Sequence, residues 1–162
     1  MKRITFWPQA FLGLTFNWGV LLGWTAVRGS CDLRVVLPLY GAAICWTVLY
    51  DTIYAHQDKR DDVKVGVKST ALLFGDQTKL WLSGFAVGTI GLLQVAGHNA
   101  GLTGPFFWLT GAAAGHLAWQ IYKVNLDVPS DCAAKFAANK WFGGLILVAI
   151  LADGVYQQIP SK

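Results

Sequence analysis

Five hydrophobic runs separated by polar connections dominate the chain. Phe6 to Val27 carries no charge and, as a helix, would reach about 33 Å, enough to cross a hydrocarbon core of roughly 30 Å. Val35 to Tyr54 is a second run, broken only by Asp51 near its end. Leu80 to Gly97, Phe106 to Tyr122 and Trp141 to Tyr156 follow, each near the minimum spanning length, the last with Asp153 close to its end. The pattern predicts an all-α, polytopic membrane bundle in a single domain. Its five transmembrane helices cover approximately 6–27, 35–54, 80–97, 106–122 and 141–156, and one long polar segment occupies 55–79.

Composition agrees, with 54% hydrophobic residues, eight Trp, eighteen Gly and only 14% charged residues. A length of 162 residues would suit a soluble core too, so the uncharged runs decide. Five spans place alternate connections on opposite sides. Lys2, Arg3, Lys59, Arg60, Lys64, Lys68, Lys79, Lys123, Lys135 and Lys140 then share one face, and only Arg28, Arg34 and Lys162 fall on the other. By the positive-inside rule the basic face is cytoplasmic or its organellar equivalent. The net charge of +4 reflects that bias and gives no support for nucleic-acid binding, since no basic patch recurs with stacking aromatics outside the spans.

Trp7, Trp24, Trp46, Trp81, Tyr54, Tyr122, Trp141 and Tyr156 lie towards span ends, as interfacial belts do. Gly13, Gly19 and Gly23, then Gly84, Gly88 and Gly91, then Gly111 and Gly115, recur near one helical turn and predict close backbone approach. Cys31, Cys45 and Cys132 form no C-x-x-C pair, so neither a zinc site nor a disulfide framework is expected. No secretory or transit-peptide pattern is expected ahead of the first span, which starts almost at Met1.

The chemistry concentrates where the second run ends. Tyr50 to Asp62 carries Asp51, Asp58, Asp61 and Asp62 out of a hydrophobic stretch, and a carboxylate near a bilayer costs about 2.5–3.5 kcal/mol even on lenient insertion scales. On one continuous helix Asp58 would lie about 20° behind Asp51 and Asp62 about 20° ahead, giving a single stripe, with Asp61 about 80° away. Carboxylates four residues apart repel, so the pair Asp58 and Asp62 suggests a compensating cation. Magnesium suits it, being held by one or two carboxylates together with water and substrate phosphates. Downstream, Lys64 and Lys68 would meet the remaining phosphate charge. A solvated, charge-balanced loop is the plain alternative.

The stretch from Tyr50 to Ala71, YDTIYAHQDKRDDVKVGVKSTA, resembles the second aspartate-rich motif of the UbiA superfamily of intramembrane prenyltransferases, in the branch that prenylates para-hydroxybenzoate in ubiquinone biosynthesis. The segments from Lys2 to Gln9 and from Leu12 to Gly19 resemble the same branch in its animal mitochondrial form. The resemblance implies nine helices with two aspartate-rich motifs, the first shaped N-D-x-x-D-x-x-x-D. No such motif is present, so the chain looks like the C-terminal five helices, with the N-terminal half of the enzyme as its missing partner.

For the complete enzyme the resemblance implies transfer of an isoprenoid from polyprenyl diphosphate to the ring of para-hydroxybenzoate, at the mitochondrial inner membrane with the aspartate loop on the matrix side. Asp58 and Asp62 would bind magnesium, and Asp51 would orient substrate or accept a proton. Lys68, ahead of Arg60, would meet the diphosphate, and Tyr54 and Asn17 would shape the aromatic pocket or satisfy helix packing. This chain alone is expected to be inactive. Two rival readings remain: a CDP-alcohol phosphotransferase, whose D-G-x-x-A-R pattern fails at Thr52, and a non-catalytic truncated membrane protein or subunit that binds lipid or a partner helix.

Overall fold

The computed structural model describes residues 1–159, apart from the side chain of Arg60; Lys162, counted above with the sparse basic face, lies outside the described residues. Every element is helical: α1 (Pro8–Phe16), α2 (Gly19–Arg28), α3 (Leu33–Ala55), α4 (Lys59–Val65), α5 (Thr70–Phe74), α6 (Thr78–Asn99), α7 (Gly104–Lys123) and α8 (Pro129–Gln157), with a 3₁₀ turn at Gly75–Gln77. Among the described residues, four stretches are long and apolar enough to cross a membrane: Pro8–Arg28, Leu33–Ala55, Thr70–Asn99 and Pro129–Gln157. The predicted fourth span, α7, has the length, but His116, Gln120 and Lys123 lower its hydropathy.

α7 nonetheless traverses the bundle. At one end the N-terminal arm, the segment 56–78 and the connection 124–128 meet: the Lys68 N–H donates to the Lys2 carbonyl at 2.6 Å, and Lys79 Nζ donates to the Tyr122 carbonyl at 3.2 Å. At the other end Asn99 Nδ2 donates to the Arg34 carbonyl at 2.6 Å, and Gln157 reaches the Gly101 carbonyl at 3.3 Å. The Arg34 carbonyl is available for a physical reason. Pro38 lies inside α3 and has no N–H to return to residue 34, so Asn99 takes the freed acceptor.

The core joins α3, α6, α7 and α8 through Leu49, Ile53, Leu82, Leu93, Leu117 and Phe142. Val87, Trp108 and Leu147 are exposed on its outside, as expected of helices that face lipid. Polar bonds cross between helices, among them Gln94 Nε2 to Thr110 Oγ1 at 2.7 Å.

Three expectations need correction. The first run is broken at Asn17 and Trp18 into α1 and α2, and Asn17 Nδ2 occupies the Gly13 carbonyl at the break. The last helix begins at Pro129, twelve residues before the predicted span, because Pro suits a first turn and Asp131 and Lys135 pair at 3.0 Å. Of the small-residue positions, Gly13 and Gly88 do sit at contacts, where a Cβ would stand 3.2 Å from Ile44 and 3.3 Å from Cys45, whereas Gly84, Gly91, Gly111 and Gly115 border open space. The tightest approach is at Gly97, where a Cβ would meet Phe106 at 2.3 Å.

Candidate functional site

The aspartate segment does not continue α3. That helix stops at Ala55, His56 caps it, and Asp58 begins the separate helix α4 with φ −98° and ψ 1°. The single stripe of three carboxylates is therefore divided: Asp51 belongs to α3, while Asp58 and Asp62 stay one turn apart, the Asp62 N–H donating to the Asp58 carbonyl at 2.8 Å. Among the described residues no three His, Cys, Asp or Glu side chains converge as a metal-binding group.

Gly66, at φ +70°, ends α4 and turns the chain back, with Val67 N–H donating to the Asp62 carbonyl at 3.0 Å. The returning strand of chain meets the N-terminal arm. Lys68 Nζ donates to the Ile4 carbonyl at 3.2 Å and lies 5.2 Å from the Phe6 ring centre. Gln9, buried, accepts from the Thr70 N–H at 3.2 Å, and Thr70 and Thr52 hydroxyls stand 2.7 Å apart. Lys2 Nζ lies 3.8 Å from Asp62 Oδ1, while Asp51, near the end of α3, is half-buried.

The four carboxylates thus occupy different environments. Asp62 is buried, and its Oδ2 has no hydrogen-bond partner among the described residues. Asp58 is exposed one turn away. Asp61 is also exposed and pairs with Lys64 at 2.9 Å, a bond that holds its carboxyl below the usual range. Lys64 is accordingly engaged on the outer side of α4, and among the described residues the cation beside Asp62 is Lys2. The sequence signal for Lys2 was its place in the quoted stretch Lys2 to Gln9.

A second set of residues forms a cleft of about 350 Å³ between α1, α3 and α8, lined by Asn17, Trp46, Tyr50, Phe136, Asn139 and Lys140 among others. Trp46 Nε1 donates to Asn139 Oδ1 at 3.0 Å, which fixes the indole across the cleft. Asn17 lines it while donating to Thr47 Oγ1 at 2.8 Å, so it both packs and faces the cleft. Tyr54 packs against Phe136 with ring centres 4.9 Å apart and planes tilted by 52°, beside the cleft. Asn139 and Lys140 were not singled out from sequence. Both sit on the early turns of α8, which the hydropathy pattern left outside the span.

His56 anchors the same end. It is buried, its Nε2 lies 3.2 Å from Thr78 Oγ1, and burial with the nearby Lys59 pushes its pKa down to about 4.

Proteins named 4-hydroxybenzoate polyprenyltransferase, mitochondrial, are similar to this chain: that of Arabidopsis thaliana is 58% identical over 157 residues, covering 97% of this chain and 39% of the relative. The Homo sapiens protein is 52% identical over 158 residues, covering 98% and 43%. The Bos taurus protein is 56% identical over 151 residues, covering 93% and 41%. The chain spans about two fifths of the length of these curated relatives. No solved structure matches it. Residues 1–146 match the UbiA prenyltransferase family from the first residue of the N-terminal arm into α8, and the chain belongs to that family.

Proposed function

We propose that this chain carries the second aspartate motif of a polyprenyltransferase, and that the complete enzyme transfers a polyprenyl group from its diphosphate to the ring of 4-hydroxybenzoate in ubiquinone biosynthesis. The family match and the names of the relatives support the reaction class. The observation that carries the site is the Asp62 carboxylate, buried with one oxygen near Lys2 and the other without a partner among the described residues.

Such a buried, half-satisfied carboxylate fits a divalent cation. Asp58 and Asp62 would hold magnesium; among the described residues no third His, Cys, Asp or Glu joins them, which would leave positions for water and diphosphate oxygens, the usual habit of that ion. When bound, it would neutralise negative charge building on the departing diphosphate. Lys2 holds the Asp62 carboxylate in place and adds positive charge on the same side, with Lys68 behind it on the arm.

In the reaction the allylic carbon–oxygen bond breaks and its electron pair leaves with the diphosphate. The allylic carbon bonds to the ring carbon ortho to the hydroxyl, and that ring carbon loses its proton. Asp51, half-buried one helix away from the pair, is our candidate for accepting the proton or orienting the ring. The cleft lined by Trp46, Tyr50 and Phe136 would take the ring, with Lys140 as a cation for the acid's carboxylate. Its aromatic walls would help to keep water from the reacting carbon in the complete enzyme. We assign the protein to the mitochondrial inner membrane, all five long stretches crossing and the aspartate segment on the matrix side, on the strength of the basic bias at that end.

The test is prenyl transfer in membranes holding this chain with or without a separate polypeptide for the remaining length of the relatives. Polyprenyl diphosphate, magnesium and 4-hydroxybenzoate are supplied. Product is expected only with both polypeptides and only with Asp62 intact. Turnover by the chain alone would overturn the two-part site, and full turnover by Asp62→Ala would remove the metal assignment.

A further inference from the structure

On the opposite side of α6 from its contact with α3, two grooves meet at Lys79 and Tyr122, which line both. One is apolar, about 820 Å³, and runs between α6 and α7 past Val87, Ile90, Gly91, Ala114 and Ala118. From Lys79 to Gly91 it follows α6 for about 18 Å. The other is polar, about 470 Å³, and lies at the basic end of the bundle among Lys59, Lys123, Asp76 and Asp127.

Lys79 is fixed at the junction. Its Nζ donates to the Tyr122 carbonyl at 3.2 Å, in the last turn of α7, and an ammonium has three donors, so others remain for a ligand. Three lysines against two aspartates leave the polar groove with one net positive charge. A channel that accepts hydrocarbon, opening at the interface onto a singly positive polar site, is complementary to an amphiphile bearing one negative charge.

We propose that this paired groove binds one anionic glycerophospholipid of the surrounding bilayer, an acyl chain lying between α6 and α7 and the phosphodiester at Lys79. An isoprenoid diphosphate fits less well, because its greater charge would face Asp76 and Asp127. The site takes Lys59 from the first turn of the aspartate helix but none of its carboxylates, and it shares no residue with the aromatic cleft; its test needs no catalysis.

Native mass spectrometry of the delipidated chain in detergent, given phosphatidylglycerol or phosphatidylcholine, provides that test. One phosphatidylglycerol should be retained in preference to phosphatidylcholine, and Lys79→Gln should weaken its retention about five-fold. Gly91→Leu should block the channel and lower retention of both lipids, since a Cβ there meets no atom within 4 Å and the helix need not shift. Arg34→Gln, at the other end, should change nothing, and circular dichroism should show equal helicity in all variants. Equal retention of the two lipids, an unaltered preference in Lys79→Gln, or displacement of the lipid by farnesyl diphosphate would each overturn the proposal. Should Gly91→Leu lose helicity, Lys79→Gln alone decides.

Discussion

Lys2 Nζ stands 3.8 Å from Asp62 Oδ1, so the N-terminal arm brings a cation to the carboxylate that α4 buries. The lysine side chain is 48% exposed and the aspartate 8%, so the pair contributes little to stability, and its value lies in where it holds charge. In the complete enzyme Lys2→Met should raise KM for polyprenyl diphosphate about ten-fold, a loss of about 1.4 kcal/mol, with Lys2→Arg close to normal. Steady-state kinetics on both variants checks this; an unchanged KM in Lys2→Met would separate the arm from the diphosphate.

Asp58 and Asp62 should behave differently from their neighbour Asp61. Replacing either of the first two with Ala should lower kcat by at least about a hundred-fold, since a lost metal ligand removes stabilisation from the transition state. Asp61→Ala should remain near normal, because Asp61 faces solvent and pairs with Lys64. Manganese binding followed by electron paramagnetic resonance provides a readout besides turnover. Weakened binding in Asp61→Ala equal to that in Asp62→Ala would put the metal on the wrong face of α4.

Much of this architecture was legible because lipid-facing helices leave strong marks. Uncharged runs marked the long helices, and the N-terminal arm and the segment 62–70, both basic, meet at one end of the bundle. The aspartate pair was legible because four-residue spacing survives the turn into α4. The loss of Asp51 from their stripe was not, because it depends on α3 stopping at Ala55, where no Gly or Pro marks an end. Equally hidden were Gln9 and Lys2, whose partners lie on α5 and α4; side-chain bonds between distant segments leave no periodic trace.

His56 makes the basic end sensitive to acid. Its folded pKa, about 4, lies below the ordinary 6.5, so the unfolded chain binds more protons between those values. Stability should be fully present above about pH 6.5, fall as pH drops towards 4, and level off below. Thermal unfolding in detergent between pH 7.5 and 4.5 measures the slope, which His56→Gln should flatten. An equal slope in wild type and variant would assign the acid response to other groups.

Two carboxylates within long helices show why a membrane aspartate must be read by its partners. Asp153 is fully buried on α8, and its Oδ1 accepts from the Thr103 N–H at 2.8 Å and the Thr103 hydroxyl at 2.6 Å. Gln157 Nε2 donates to its Oδ2 at 2.6 Å. Thr103 begins α7 without capping it by its own side chain, and Asp153 accepts from another helix the Thr103 N–H, one of the donors that a helix N-terminus leaves without an intrahelical partner. Asp153→Ala should therefore destabilise the bundle by about 1–3 kcal/mol, the cost of stranding a buried donor, and Asp153→Asn by less, because its amide oxygen still accepts. Asp51, half-buried near the end of α3, should show the reverse: Asp51→Asn should leave thermal stability unchanged and slow turnover of the complete enzyme. Unfolding temperature and kcat measured on all three variants separate the two roles, and a stability loss in Asp51→Asn as large as that in Asp153→Ala would make both aspartates structural.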